Sequence, residues 1–185
     1  MVFERFLDVT CPITNGMEVY PGDPEVIIKA HTQIGEVGYA VSKLELGTHT
    51  GTHVDYPGHV YRDTFLRPGF DALIGPCIVL SIASLKSQIA NEDFRPTRLI
   101  VKDGLPDIAE CATLLGRGLR LIGTGRQSIE EDGCLNVHRL ILGRGAAILE
   151  QLCLSEAPEG PSFLIALPLL TEADDGAPIR VVLAY

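Results

Sequence analysis

The stretch His49-Thr50-Gly51-Thr52-His53-Val54-Asp55-Tyr56-Pro57-Gly58-His59 places three of the chain's five histidines and one aspartate within eleven residues. Imidazole nitrogen and carboxylate oxygen are the donors of zinc and manganese sites. Burying such a cluster is costly unless a cation or hydrogen bonds compensate it. In an extended strand all four groups would share one face, because their positions are all odd. Yet His49 and Asp55 would then stand ~20 Å apart at ~3.3 Å per residue, too far to meet on one ion whose ligands lie at ~2 Å. The chain must therefore curl. His49 and His53, four residues apart, can share one face of a helical turn, and Asp55 then requires a bend. Gly51 and Pro57 suit an irregular path. The blander alternative is a polar loop with incidental histidines.

Working outward, Tyr39 to Leu46 alternates imperfectly and leads into the cluster as a strand. Before it, Phe6 to Val9 reads as a short strand. Tyr20-Pro21-Gly22-Asp23-Pro24 is a turn, and Glu25 to Thr32 is a strand with Val26, Ile28 and Ala30 on one face. His31 falls on the opposite parity and reads as a surface residue. After the cluster, Phe65 and Phe70 are expected to pack over the site or at a subunit contact, with core packing preferred. Ile74 to Ile82 and Arg98 to Val101 are continuous apolar runs of buried-strand type, separated by a short helical turn over Leu85 to Ala90. Ile108, Cys111, Ala112 and Leu115 recur at helical spacing behind Pro106, and Leu119 to Ile122 is the next strand.

A second constellation follows. Asn136, a plausible N-cap, opens a helix that Gly143 to Gly145 ends. A strand then runs from Gly145 to Glu150. The helix advances ~8 Å from His138 to Gly143, and the strand covers ~16 Å. A reversal of direction would return Glu150 to the level of His138. Strands are also expected over Phe163 to Leu170 and Ile179 to Leu183. Alternating strands and helices give an α/β class with a mixed sheet.

Length and composition fit a single domain spanning residues 1–185. A net charge of −9 argues against a nucleic-acid partner, and no apolar run reaches the ~18 residues of a membrane span. The N-terminal residues are acidic and lack a signal peptide's layout, so the cytoplasm is the expected location. The cysteines (Cys11, Cys77, Cys111, Cys134 and Cys153) are odd in number and scattered, and do not read as a disulfide framework or a zinc knuckle. Cys77 and Cys153 lie in apolar runs and read as core residues, whereas Cys134 beside Gly133 could be exposed. A Cys/His nucleophile pair has no distinctive local setting here, and Gly123-x-Gly125 lacks the rest of a nucleotide-binding pattern.

The cluster resembles the signature His-x-Gly-Thr-His-x-Asp-x-Pro-x-His of metal-dependent cyclase-like hydrolases, a family that includes bacterial kynurenine formamidases. The match is complete over the motif. It continues in His138 and Glu150, twelve residues apart, and in the closing strand Pro178-Ile-Arg-Val-Val-Leu183. The resemblance implies a swivelling β/β/α fold, usually dimeric or tetrameric. It also implies one divalent cation on His49, His53 and Asp55 and a second on Asp55, His138 and Glu150, with Glu150 able to bridge both. Zinc is the first expectation for the cation and manganese the second. His59 is left as general acid/base, and metal-activated water would attack an amide or formamide carbonyl of a small-molecule substrate. A cyclic-amide or lactone opener of isatin-hydrolase type is the nearest alternative. A metal-binding protein without turnover is a third reading.

This chain departs from its relatives at three places. Tyr20 stands where kynurenine formamidases carry a pocket tryptophan, and is implied to contact substrate. In Gly123-Thr-Gly125-Arg-Gln-Ser128-Ile-Glu130, relatives tend to carry Gly-x-Asp-x-x-Ser-x-Asp, so Gly125 and Glu130 each replace an aspartate. The segment between about Asp103 and Leu119 is shorter.

Overall fold

The computed structural model describes residues 2–62, 66–131 and 133–185. Ten strands and five helices follow one another as β1 (Phe6–Asp8), β2 (Ile27–Thr32), α1 (Ile34–Val37), β3 (Val41–Glu45), β4 (His53–Asp55), α2 (Phe70–Leu73), β5 (Ile74–Leu80), α3 (Ile82–Ile89), β6 (Arg98–Val101), α4 (Ile108–Gly116), β7 (Leu121–Thr124), α5 (Asn136–Leu142), β8 (Ala147–Glu150), β9 (Gly160–Pro168) and β10 (Gly176–Ala184). The main sheet runs β1-β10-β4-β8-β7-β6-β5-β9, and β9 also pairs with β10. That last pairing closes the sheet into a barrel, with β1 attached beside β4 on the edge of β10. Strands β5 to β8 are parallel, joined through α3, α4 and α5, while β4, β9 and β10 pair antiparallel. The expected mixed α/β sheet is present.

Two cores explain why β6, β7 and β8 read as unbroken apolar runs. Ile100, Leu121, Ala147 and Leu149 point into the barrel with Val54, Val79, Leu164 and Val181. The alternate residues Leu99, Val101, Ile122 and Ile148 pack outward against Leu85, Cys111, Leu114 and Ile141 of the helices. Every residue of these three strands is buried, as both-face coverage of a parallel sheet requires. At the start of α4, Asp107 caps the Glu110 N–H, and the Glu110 carboxylate returns to the Asp107 N–H. Ser81 caps α3, so that helix begins earlier than the short turn expected near Leu85.

Several expectations need correction. The alternation in β2 and β3 does not mark a buried face. The two strands form a separate antiparallel ribbon, and all of β3 is exposed. Phe70 is 69% exposed rather than packed in the core, and Phe65 lies outside the described residues. His31 is exposed, as expected. Asn136 is not the N-cap of α5 but its first helical residue. Leu135 holds the cap position in the left-handed region and supplies no side-chain cap.

The cysteine reading also changes. Cys11 and Cys153 form a disulfide across a sequence separation of 142. Thr10 bridges Leu152 and the Cys153 N–H donates to the Val9 carbonyl, so the two thiols meet through long-range pairing that spacing does not reveal. Cys153 is therefore exposed at a strand end rather than in the core, where Cys77 does lie.

Candidate metal centre

Strand β4 is only three residues long, yet it organises the site. Val54 points into the barrel, so period-two alternation turns His53 and Asp55 to the opposite face, toward the helices. In β8 the same alternation turns Leu149 inward and Glu150 outward, and register pairs His53 directly with Glu150. Helix α5 lies over this face and contributes His138. His49 arrives from the turn that precedes β4 and not from a helical face. Close approach at that turn depends on Gly176, where a Cβ would stand 2.8 Å from both the His49 Cε1 and the Val54 carbonyl oxygen.

The five groups converge. His49 Nδ1 is 3.0 Å and His53 Nε2 3.3 Å from Asp55 Oδ1. His53 Nε2 is 3.3 Å from Glu150 Oε2, and His138 Nε2 is 3.3 Å from Glu150 Oε1 and 3.6 Å from Asp55 Oδ2. Two donor sets result, His49–His53–Asp55 and Asp55–His138–Glu150, each with its ligand atoms within 4.8 Å of one another. Asp55 belongs to both. His53, Asp55, His138 and Glu150 are all buried, and His49 is 15% exposed at its side chain.

The donors fit a divalent cation. Two carboxylates and three imidazoles are the hard and borderline ligands zinc and manganese accept. Asp55 Oδ2 is buried without a hydrogen-bond partner among the described residues, a cost that a coordinated cation removes. Electrostatics agree. Burial works to raise the Asp55 carboxyl, but hydrogen bonds from His49 and His53 overcome it and hold the group far below the usual carboxylate range. Burial disfavours charge on His53 and His138, yet Asp55 and Glu150 raise them to about 10 and about 9. The cluster demands positive charge, from protons or from a metal.

His59 closes a short turn after β4 (Pro57 to His59). Its ring centroid is 4.2 Å from that of His49 and 5.6 Å from that of His138. Among the described residues it belongs to neither donor set. Burial pushes its pKa down from the ordinary value; Asp55 and Glu150 pull the other way, while the neighbouring His49 and His138 rings add to the lowering. A cavity of about 390 Å³ opens onto the cluster, with His49, His53, His59, His138 and Glu150 at its floor and Tyr20, Pro21, Asp23, Gln127 and Leu135 among its walls. Tyr20 is one of the residues that line this cavity.

Two acidic residues near the imidazoles were not singled out from sequence. Asp175 Oδ2 is 3.3 Å from His49 Nε2 and accepts from the Thr48 hydroxyl. Glu130 Oε1 is 2.6 Å from His138 Nδ1. Glu130 was visible as a departure from the family pattern, which is a signal that could have drawn it into the site. Asp175 follows Asp174 in an acidic loop and carried no such signal. A Cβ at Gly125 would meet the Leu152 carbonyl oxygen at 3.0 Å and the Leu154 side chain.

A short β4 presenting His53 and Asp55, a barrel-and-helix framework and two His/carboxylate groups that could hold a metal ion describe an α/β protein with a candidate metal centre, and comparison with known proteins gives the family. The family described as "Putative cyclase" matches residues 7–115. The kynurenine formamidase of Paracidovorax citrulli (strain AAC00-1) is 32% identical, with 95% of this chain and 94% of that protein covered. The kynurenine formamidase of Bacillus cereus (strain ATCC 14579) is 28% identical, with 99% of each covered. Among solved structures, a "predicted metal-dependent hydrolase" from Bacillus stearothermophilus superposes with a TM-score of 0.81 at 27% identity, covering 97% of this chain and 98% of that one. An isatin hydrolase bound to the product analogue thioisatinate shares the fold, with a TM-score of 0.75 at 20% identity over 97% of this chain and 92% of that one. The chain belongs to the cyclase family.

Proposed function

We propose that this protein is a metal-dependent hydrolase of a small-molecule amide, a formamide first and a cyclic amide second. The observation that carries the reading is the convergence of two His/carboxylate donor sets on Asp55, with His59 outside both at the floor of an open cavity. His49, His53 and Asp55 would hold one divalent cation, and Asp55, His138 and Glu150 a second, with zinc first and manganese next on donor type. The cation, when bound, lowers the pKa of water and polarises a carbonyl oxygen. His59 takes the proton of the attacking water at a ring nitrogen and delivers it to the departing nitrogen. Its depressed pKa keeps it neutral and able to accept that proton near pH 7. Tyr20 and Leu135 provide apolar wall for an aryl or alkyl portion of the substrate. The tyrosine in place of the tryptophan implied by the resemblance weighs against a formylated kynurenine as the substrate, and the cyclic-amide alternative rests on the same metal chemistry.

One domain spanning residues 1–185 contains the whole reading. A homodimer or homotetramer is part of it. Ile34, Val37, Tyr39, Val41 and Leu44 are exposed on and beside the β2–β3 ribbon, and an isolated two-stranded ribbon is marginal alone. No helix among the described residues is long and apolar enough to cross a membrane. The Cys11–Cys153 disulfide weighs against the expected cytoplasmic location, because reducing compartments keep thiols reduced.

The deciding experiment is elemental analysis of protein purified without chelator, wild type beside Asp55→Ala, followed by a panel of formamides and cyclic amides. One or two zinc or manganese per chain, lost in the variant, with turnover of a panel member, is the expected result. Stoichiometric metal retained by Asp55→Ala would sink the ligand assignment. His59→Ala should keep its metal while turnover collapses.

A further inference from the structure

The Glu130 carboxylate meets four donors at one place. Oε2 accepts from the N–H groups of Asn136 (3.0 Å) and Val137 (3.2 Å). Oε1 accepts from the N–H of His138 (3.3 Å) and lies 2.6 Å from its Nδ1. The first turn of a helix leaves its N–H groups without partners. Leu135, at the cap position of α5, has no side chain able to satisfy them. Glu130 replaces that cap from the preceding loop, and its side chain is only 7% exposed. The opposite nitrogen of the same imidazole, Nε2, faces Asp55 and Glu150.

We propose that Glu130 is a positioning residue for the metal centre, fixing both the ring orientation of His138 and the nitrogen that carries its proton; this rests on the metal-centre reading above. The proton stays on Nδ1, because Oε1 is an acceptor there, and Nε2 is left with its lone pair toward the metal position. Capping and tautomer selection are joined in one group. The helix amides fix the carboxylate, and the carboxylate fixes the ring. An amide cannot replace it. Turned with its oxygen to His138, a glutamine would aim its NH2 at the helix N–H groups. Turned the other way, it would donate to Nδ1 and drive the ring proton onto Nε2, which then cannot ligate.

The test is zinc titration of metal-free protein against a chromophoric chelator, for wild type, Glu130→Gln and Glu130→Asp, with urea unfolding of each metal-free protein. Loss of an outer-shell partner costs ~10- to 100-fold in metal affinity. The expected result is that loss in Glu130→Gln, an affinity within a few-fold of wild type in Glu130→Asp (which keeps both oxygens), and a metal-free unfolding midpoint that does not account for the difference. Long-range 1H–15N spectra of zinc-loaded wild type should show the His138 proton on Nδ1. Unchanged zinc affinity in Glu130→Gln, a proton on Nε2, or a loss shared equally by Glu130→Asp and matched by destabilised metal-free protein would each overturn the proposal. Absence of zinc binding by wild type would overturn the metal-centre reading itself, and the role of Glu130 with it.

Discussion

Replacing Thr52 by valine removes one hydroxyl and almost no volume. That hydroxyl accepts from the Cys11 N–H at 2.8 Å and donates to the Gln151 carbonyl at 2.6 Å. Thr52 precedes His53, Gln151 follows Glu150, and the side chain is buried. The hydroxyl therefore ties together the backbones that carry two of the proposed ligands, His53 and Glu150. Each deprived partner costs ~1–3 kcal/mol if it stays buried and unpaired. Cys11 and Gln151 are both only partly buried, so water can reach either group once the hydroxyl is gone, and the sum expected for Thr52→Val is ~1–3 kcal/mol. Urea unfolding of the metal-free, oxidised protein measures this, with Thr52→Ser as the control that keeps the hydroxyl. Repeating the series with saturating zinc asks whether the ligands have moved, because a cation binding only the folded state adds stability in proportion to its affinity. A smaller zinc increment in Thr52→Val than in wild type is the expected second result. A variant within ~0.5 kcal/mol of wild type in the metal-free series would place it among ordinary surface substitutions, and the tie between the two strands would have to be abandoned.

Two other perturbations have clear directions. A Cβ on Gly58 would overlap the backbone carbonyl of Asp174, and backbone cannot swing aside as a side chain can. Gly58→Ala should cost ~1–3 kcal/mol by overpacking and lower turnover by displacing the adjacent His59, which thermal unfolding and the substrate assay measure together. Burial pushes the Cys77 thiol up to about 11 and the Cys111 thiol up to about 12. At pH 8 only about one Cys77 in a thousand is then thiolate, and fewer at Cys111. Iodoacetamide should leave both unmodified in the native protein and label both in urea, as peptide mass analysis would show.

The sequence exposed most of what depends on local pattern. Continuous apolar runs marked β6 as a buried strand and located β5, which is covered less fully because Pro76 is exposed, and the helix–glycine–strand succession after Asn136 indicated that Glu150 returns to His138, as the 3.3 Å separation of their side chains shows. What stayed hidden depends on pairing across the chain. The pairing of β10 with β4 and of β9 with β5, which closes the barrel, has no local signal, and neither does the disulfide, which needs strand ends more than a hundred residues apart to become neighbours. The β2–β3 ribbon misled because alternation reports a two-faced strand, not which face is covered. Leu135 in the left-handed region was unreadable because leucine rarely adopts it. The cap was therefore sought at Asn136, while the group that performs it sits five residues before Leu135.

The disulfide closes a covalent ring around the chemistry. All five metal-site residues, from His49 to Glu150, lie between Cys11 and Cys153. An unfolded chain so closed has far fewer arrangements open to it than a linear one. In the chain-entropy account a ring of this size is worth ~5 kcal/mol to the folded state. The ligands also remain within one tethered volume even when the barrel is lost. Under oxidising conditions, unfolded protein would therefore carry its imidazoles and carboxylates at a higher mutual concentration than reduced protein.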